Sequence, residues 1–325
     1  MHAPNDYMKT VHDVYRAAAL EPDRGLCCTE RPAWSLPDLA IPEIMLEMNY
    51  GCGSTVHPSD LMGSRPILYV GVGGGLEALQ FAYFRRKKGG VIAVDPIPEM
   101  RQAAARNLEE AAKRNARFRP DYVRILEGSA NALPVEDSSV DVVAQNCLFN
   151  VFVDDDLSAA LTEVFRVLAP GGRFSTSDPI TTAPIPESLK RDSTLRARCC
   201  SGCQTYDAYL SKIQEAGFQQ ILVRARVPYR LLTPIEFPEI EKPILLESVE
   251  VLGLKSAPRP HATPEVYSGR YAIFRGKGTF PYRLMFTFSA GTPVSVSDRI
   301  ASELRQRPDF LVTEPTYHAR SPGCC

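Results

Sequence analysis

The chain's chemistry is concentrated in its thiols. Cysteines stand at 27, 28, 52, 147, 199, 200, 203, 324 and 325, an odd total and partly in adjacent pairs. In a chain of 325 residues that pattern fits a secreted disulfide framework poorly. Reactive or metal-binding thiols fit it better. The five histidines, at 2, 12, 57, 261 and 318, all lie outside the stretch read below as the core. Cys147 is the cysteine that raises the sharpest question. In DVVAQNCLFN (141–150) an apolar run closes on Gln145 and Asn146, and a thiol follows at once.

A second constellation is the glycine turn VGVGGG, with Gly71, Gly73 and Gly75 between an apolar run and a helical stretch. Glycine lets the backbone approach a ligand without a Cβ in the way, and strand–turn–helix is the context in which such a turn cradles a nucleotide. About twenty residues on, Asp95 ends the next apolar run, GGVIAVD. Its carboxylate is placed to accept from two ribose hydroxyls. That pairing serves either a dinucleotide or S-adenosylmethionine.

The elements that must hold these residues follow from periodicity. A short helix is expected over 8–20, and helices over 76–88, 98–115, 154–168 and 205–218. Strands are expected within 66–75, at 89–95, 121–128 and 140–146, after the turn of PGGRFSTSD (170–178), and as a pair or one long strand over 219–232. Thr205 can cap the last helix and Gly217 can end it. Alternating strands and helices at these spacings predict a doubly wound α/β sheet, and near-continuous apolar strands predict cover on both faces. We place an N-terminal cap with cysteine-bearing loops at 1–64, a Rossmann-like domain at 65–232, and a small α+β module at 233–325 that ends in a Cys-Cys tail. Net charge is -1, which argues against a nucleic-acid or anionic-membrane surface. No apolar run spans a membrane, and the N-terminus lacks a signal peptide's pattern, so a cytoplasmic protein with reduced thiols is expected.

The order of parts resembles the class I S-adenosylmethionine-dependent methyltransferases: glycine turn, Asp95, the turn in EGSANALPVEDSSVDVV (127–143) that can embrace an adenine, then LAPGGRF before a fifth strand. Transfer to oxygen or nitrogen commonly needs a His, Asp or Glu base. This core shows thiols and no histidine. Trivalent arsenic would need no base. It is soft, favours thiolates as soft centres do, and carries its own lone pair.

At this point the chain resembles the arsenite S-adenosylmethionine methyltransferases, especially the cyanobacterial type associated with arsenosugar formation. The resemblance rests on GLCCT (25–29), NYGCGST (49–55), the glycine turn, QNCLFN (145–150) and RCCSGCQT (198–205), with TEPTYHARSPGCC (313–325) closing the chain. It implies Cys52, Cys147 and Cys199 as arsenic ligands, with Cys200 a competitor of Cys199. It implies Cys28 as a relay or disulfide partner of Cys52. Tyr50 would line the cofactor pocket, Asn146 would sit near the methionyl part, and Ala130 and Asn131 would border the adenine, although Asn131 replaces a common acid. A reductant such as glutathione or thioredoxin is implied too. Asp178 reads as a strand-end acid, and Asp154–Asp156 as a solvated helix start. Two competing readings are a methyltransferase for a non-metalloid acceptor such as a quinone precursor, and a non-catalytic metalloid-binding protein.

Overall fold

The computed structural model describes residues 6–23, 25–26, 36–256, 264–282 and 286–317. Cys27, Cys28, Trp34, Cys324 and Cys325 lie outside them. The principal sheet has eight strands: β1 (Ile67–Val70), β2 (Val91–Asp95), β3 (Val123–Glu127), β4 (Val140–Asn146), β5 (Leu168–Thr181), β6 (Gln220–Leu232), β7 (Ile244–Leu254) and β8 (Glu265–Tyr267). They run in the order β3-β2-β1-β4-β5-β7-β6-β8. The first five are parallel, and β7 lies antiparallel between β5 and β6. Every residue of β1 and β2 is buried, as strands covered on both faces require.

The helices are α1 (Asp6–Leu20), α2 (Glu43–Glu47), α3 (Leu76–Arg85), α4 (Pro98–Arg114), α5 (Asp154–Val167), α6 (Glu187–Lys190), α7 (Ser193–Ala197) and α8 (Tyr206–Glu215). Their sequences explain their ends. In α4, Pro98 takes the first turn, Met100, Ala103, Ala104, Leu108 and Ala111 form the buried stripe, and Lys113 and Arg114 meet the negative end of the helix dipole. Asp154–Asp156 supply the matching anionic start of α5.

Two features depart from local pattern. The PGG turn at 170–172 lies inside β5, where Gly171 takes φ +79° and the β4–β5 register slips between Val140 and Val142, so turn and strand are one bulged element. The sheet also runs beyond residue 232: β7 and β8 belong to it, and β7 is its hydrogen-bonded bridge between β5 and β6. The remaining chain forms β9 (Tyr271–Phe274), β10 (Thr279–Tyr282), β11 (Phe286–Ser289), β12 (Pro293–Ser295), α9 (Asp298–Arg305) and β13 (Phe310–Val312). They close over an aromatic core of Phe274, Phe288 and Phe310, with Phe280 packed against it. No helix among the described residues is long and apolar enough to cross a membrane.

Candidate active site

A cavity open at its mouth lies beyond the carboxyl ends of β1, β2 and β4, its empty space about 960 Å³ when the part open to solvent is counted. This is where a doubly wound sheet places its ligands. Its floor is the glycine turn, in which Gly71, Gly73 and Gly75 take φ of +81°, +50° and +86°, a region that side-chain-bearing residues avoid. Gly71 and Gly73 line the cavity, and Gly75 sits just behind as the N-cap of α3. Asp95 borders it, 6% exposed, accepting the backbone N–H groups of Val72 (3.1 Å) and Ile97 (2.9 Å). Burial pushes its carboxyl up to about 6, against the pull of those two donors. A side chain so held is rigid and keeps lone pairs for a diol. Tyr50, Ala130, Asn146 and Cys147 also line the wall. Asn131 does not: its amide nitrogen donates to Asp156 at 3.2 Å.

These features fit S-adenosylmethionine. The cavity is lined from the β2 end and the 128–130 turn to the tip of β4, the glycine turn leaves room for a ligand's close approach, and Asp95 and Glu77 are among its lining residues. Glu77 escapes notice in the sequence, although an acid two residues past the last glycine of such a turn is a signal. The cavity wall also carries His12, so the expectation of a site without histidine is corrected. With Met8, Val11 and Tyr15 it forms a stripe at i, i+3, i+4 and i+7, one face of a helix. That helix roofs the cavity. Its position on the apolar stripe was the available sign.

Cys147 follows the tip of β4 in a turn held on all sides. Its N–H donates to the Ser177 carbonyl at 2.7 Å. Gln145 accepts from the Leu148 N–H at 2.9 Å, and Asp178 from the Phe149 N–H at 3.2 Å. Asp178 also accepts from the Tyr209 hydroxyl (2.6 Å), the Thr176 hydroxyl (3.0 Å) and the Gln145 amide. Full burial outweighs these donors and raises the Asp178 carboxyl to about 7. The network holds Cys147 at φ +60°, and Cys199 takes φ +55°. Four non-glycine residues among those described have positive φ, and these are two of them. Backbone held in that region costs on the order of 1 kcal/mol or more and clusters at functional sites.

Cys199 stands directly behind the wall. Its Sγ donates to the Cys147 carbonyl at 3.0 Å and lies 3.9 Å from the Tyr15 hydroxyl. Cys200 turns the other way, into a separate cluster with Leu232, Ile244 and Leu246, where its Sγ meets the Arg198 carbonyl (3.2 Å) and an Arg230 N–H (3.3 Å). Cys203 joins that cluster, its Sγ donating to the Cys199 carbonyl at 3.2 Å.

Cys52 lies in a loop whose backbone is almost fully paired. The Cys52 N–H donates to Asn146 Oδ1 (3.0 Å), and Asn146 Nδ2 donates to the Gly53 carbonyl (2.7 Å). The Cys52 carbonyl accepts from Ser248 (2.6 Å). Glu250 accepts from the Ser54 N–H (2.7 Å), Glu77 from the Thr55 N–H (2.9 Å), and the Thr55 carbonyl accepts from Ser175 (2.9 Å). The Cys52 Sγ lies 3.5 Å from Ser177 Oγ. Thus Cys52, Cys147 and Cys199 gather around one backbone rung, Cys147 with Ser177. Among the described residues no three His, Cys, Asp or Glu side chains form a finished metal-holding group. The three residues are linked through the Cys147 carbonyl and Ser177, and a common ligand would require their side chains to turn toward one another. Cys28 lies outside the described residues.

Residues 68–176 match the methyltransferase domain family. The chain is 30% identical over 205 residues to the arsenite methyltransferase of Halobacterium salinarum, covering 61% of this chain and 50% of that protein. It is 28% identical over 279 residues to the arsenite methyltransferase of Mus musculus, covering 81% and 70%. The chain spans about half the length of its microbial curated relatives. A crystal structure of an arsenic (III) S-adenosylmethionine methyltransferase from Chlamydomonas reinhardtii shares the fold, with a TM-score of 0.57 at 21% identity over 84% of this chain and 92% of that one.

Proposed function

We propose that this S-adenosylmethionine-dependent methyltransferase, which groups by sequence with the arsenite methyltransferases, moves a methyl group onto trivalent arsenic held by its own thiols. The observation that carries this reading is the pair of left-handed cysteines, Cys147 on the cavity wall and Cys199 bonded to its carbonyl. When bound, S-adenosylmethionine supplies a methyl group on a positively charged sulfur. The chain's own tasks are to hold arsenic as its thiolate complex with the lone pair toward the cavity, and to keep water away. Cys147 and Cys199 are the holding thiols. Cys52, with Cys28, serves capture and redox turnover, and an external thiol such as glutathione or thioredoxin restores the reduced state.

Burial favours this chemistry. Cys147 is 2% exposed and Cys199 is fully buried, so arsenic bound there sits where opposite charges attract more strongly than in water. The glycine turn and Asp95 set where the methyl donor lies, and holding donor and acceptor in line contributes to the rate of a displacement. The non-metalloid alternative draws its support from His12, Glu77 and Asp95 on the same wall, which offer a base to an oxygen or carbon acceptor. One assay separates the readings. Purified protein is given methyl-labelled S-adenosylmethionine, excess thiol, and either arsenite or a demethylated quinone. Label in methylarsenicals with none in the quinone is the expected result, and label in the quinone alone would replace this reading with the alternative.

A further inference from the structure

Eight buried side-chain nitrogen or oxygen atoms among the described residues have no hydrogen-bond partner, and one of them, His12 Nε2, belongs to a residue that lines the cavity. A buried polar atom without a partner costs on the order of 1–3 kcal/mol, so its persistence on a cavity wall points to a partner that the cavity receives. We propose that His12 is a cofactor-binding residue, whose Nε2 hydrogen-bonds a ribose hydroxyl of S-adenosylmethionine from the face opposite Asp95. The proposal rests on the cavity being the cofactor site, and it is independent of arsenic as the acceptor.

The course of α1 assigns the ribose. At its start, Tyr7 bonds to Asp156, whose other oxygen takes the Asn131 amide beside the 128–132 turn on the adenine side. Two turns on, Tyr15 meets Tyr50 edge to face (6.1 Å, 75°) and lies beside Cys199 on the thiol side. His12 falls between these ends. Next along the helix, Arg16 reaches Glu99 (3.4 Å) in the first turn of α4, four residues past Asp95. His12 is thereby carried over the middle of the cavity, where Asp95 sits. Burial holds its imidazole below the ordinary histidine range, with Arg16 adding to the effect. The neutral ring suits a site for a positively charged sulfur. A hydroxyl both donates and accepts, so either tautomer can pair with it.

The test uses the full chain and S-adenosylhomocysteine, with affinity read by titration calorimetry and stability by thermal unfolding. His12→Leu should weaken binding about tenfold, the worth of one hydrogen bond, and His12→Gln should restore most of it. The unliganded melting temperature of His12→Leu should equal or exceed that of the parent protein, while its ligand-induced rise should shrink; a merely structural histidine would show the reverse. Analogues lacking the 2′ or the 3′ hydroxyl locate the contact, because one of them should lose less affinity in His12→Leu than in the parent. Unchanged binding in His12→Leu, or equal analogue penalties in both proteins, would overturn the assignment. No binding by the parent protein would overturn the cofactor cavity itself.

Discussion

The thiol of Cys199 donates to the carbonyl oxygen of Cys147 at 3.0 Å, so two cysteines 52 positions apart meet through a backbone atom at the tip of a central strand. The contact positions Cys199 and leaves its neighbour pointed elsewhere. Cys200 packs against Leu232 and Leu246 with an Arg230 N–H on its sulfur. Cys199→Ser is therefore expected to lower arsenite methylation at least about 100-fold while S-adenosylhomocysteine affinity stays within about threefold, a hydroxyl being a poor partner for a soft centre. Cys200→Ser should keep activity within about threefold. Steady-state methylation and calorimetric binding of both variants check this, and the opposite ranking would make Cys200 the ligand.

Gly51 abuts Asn146 so closely that a Cβ at this position would lie 2.5 Å from Asn146 Nδ2. Asn146 clamps both sides of the Cys52 loop. Gly51→Ala should displace it, costing about 1–3 kcal/mol of stability as overpacking does, and should free the buried Cys52 thiol. Alkylation of Cys52, followed by mass spectrometry, should be faster in the variant by about tenfold or more, on the scale of one broken loop contact. An alkylation rate equal to the parent's would show that Asn146 does not guard the loop.

Asp178 is fully buried with a carboxyl raised to about 7, well above its unfolded value. The folded chain therefore binds a proton that the unfolded chain releases. The stabilising contribution is complete below about pH 4 and is lost as pH rises through about 7, a swing on the order of 4 kcal/mol. Asp178→Asn has no such proton to lose. Urea unfolding of both proteins between pH 4 and 8 should show the difference in stability moving toward the variant as pH rises. A difference independent of pH would mean that the carboxyl titrates at its ordinary value. Because Asp178 holds the Phe149 N–H, the variant should also bind arsenite more weakly than it binds S-adenosylhomocysteine, each relative to the parent.

What could be read in the amino-acid sequence was local. The glycine turn announces itself because φ > 0 selects glycine, and Asp95 because an acid ends an apolar strand; both lie on the cavity. Cys147 stood out for the same reason, a polar pair and a thiol closing a buried run. Choosing between Cys199 and Cys200 needs the third dimension. Adjacent residues differ only in direction, and here a left-handed Cys199 sends one thiol to each of two cores. The placement of β7 between β5 and β6 was equally hidden, since strand order is a tertiary property that a local pattern of apolar residues does not encode. His12 was legible only in part: the 3.6-residue stripe put it on the apolar face of α1, and nothing in the pattern told what that face would cover. Glu77, Glu250 and Ser248 act through backbone groups of a distant loop, a relationship without any sequence spacing of its own.

The most direct test is an anomalous-scattering map at the arsenic edge from crystals holding arsenite and S-adenosylhomocysteine. The expected result is one arsenic peak within bonding distance of Cys147 Sγ and Cys199 Sγ, on the cavity side of the β4 tip. Arsenic on Cys200 and Cys203 instead, or a peak that leaves Cys147 untouched, would contradict the assignment of these thiols as the site of methyl transfer.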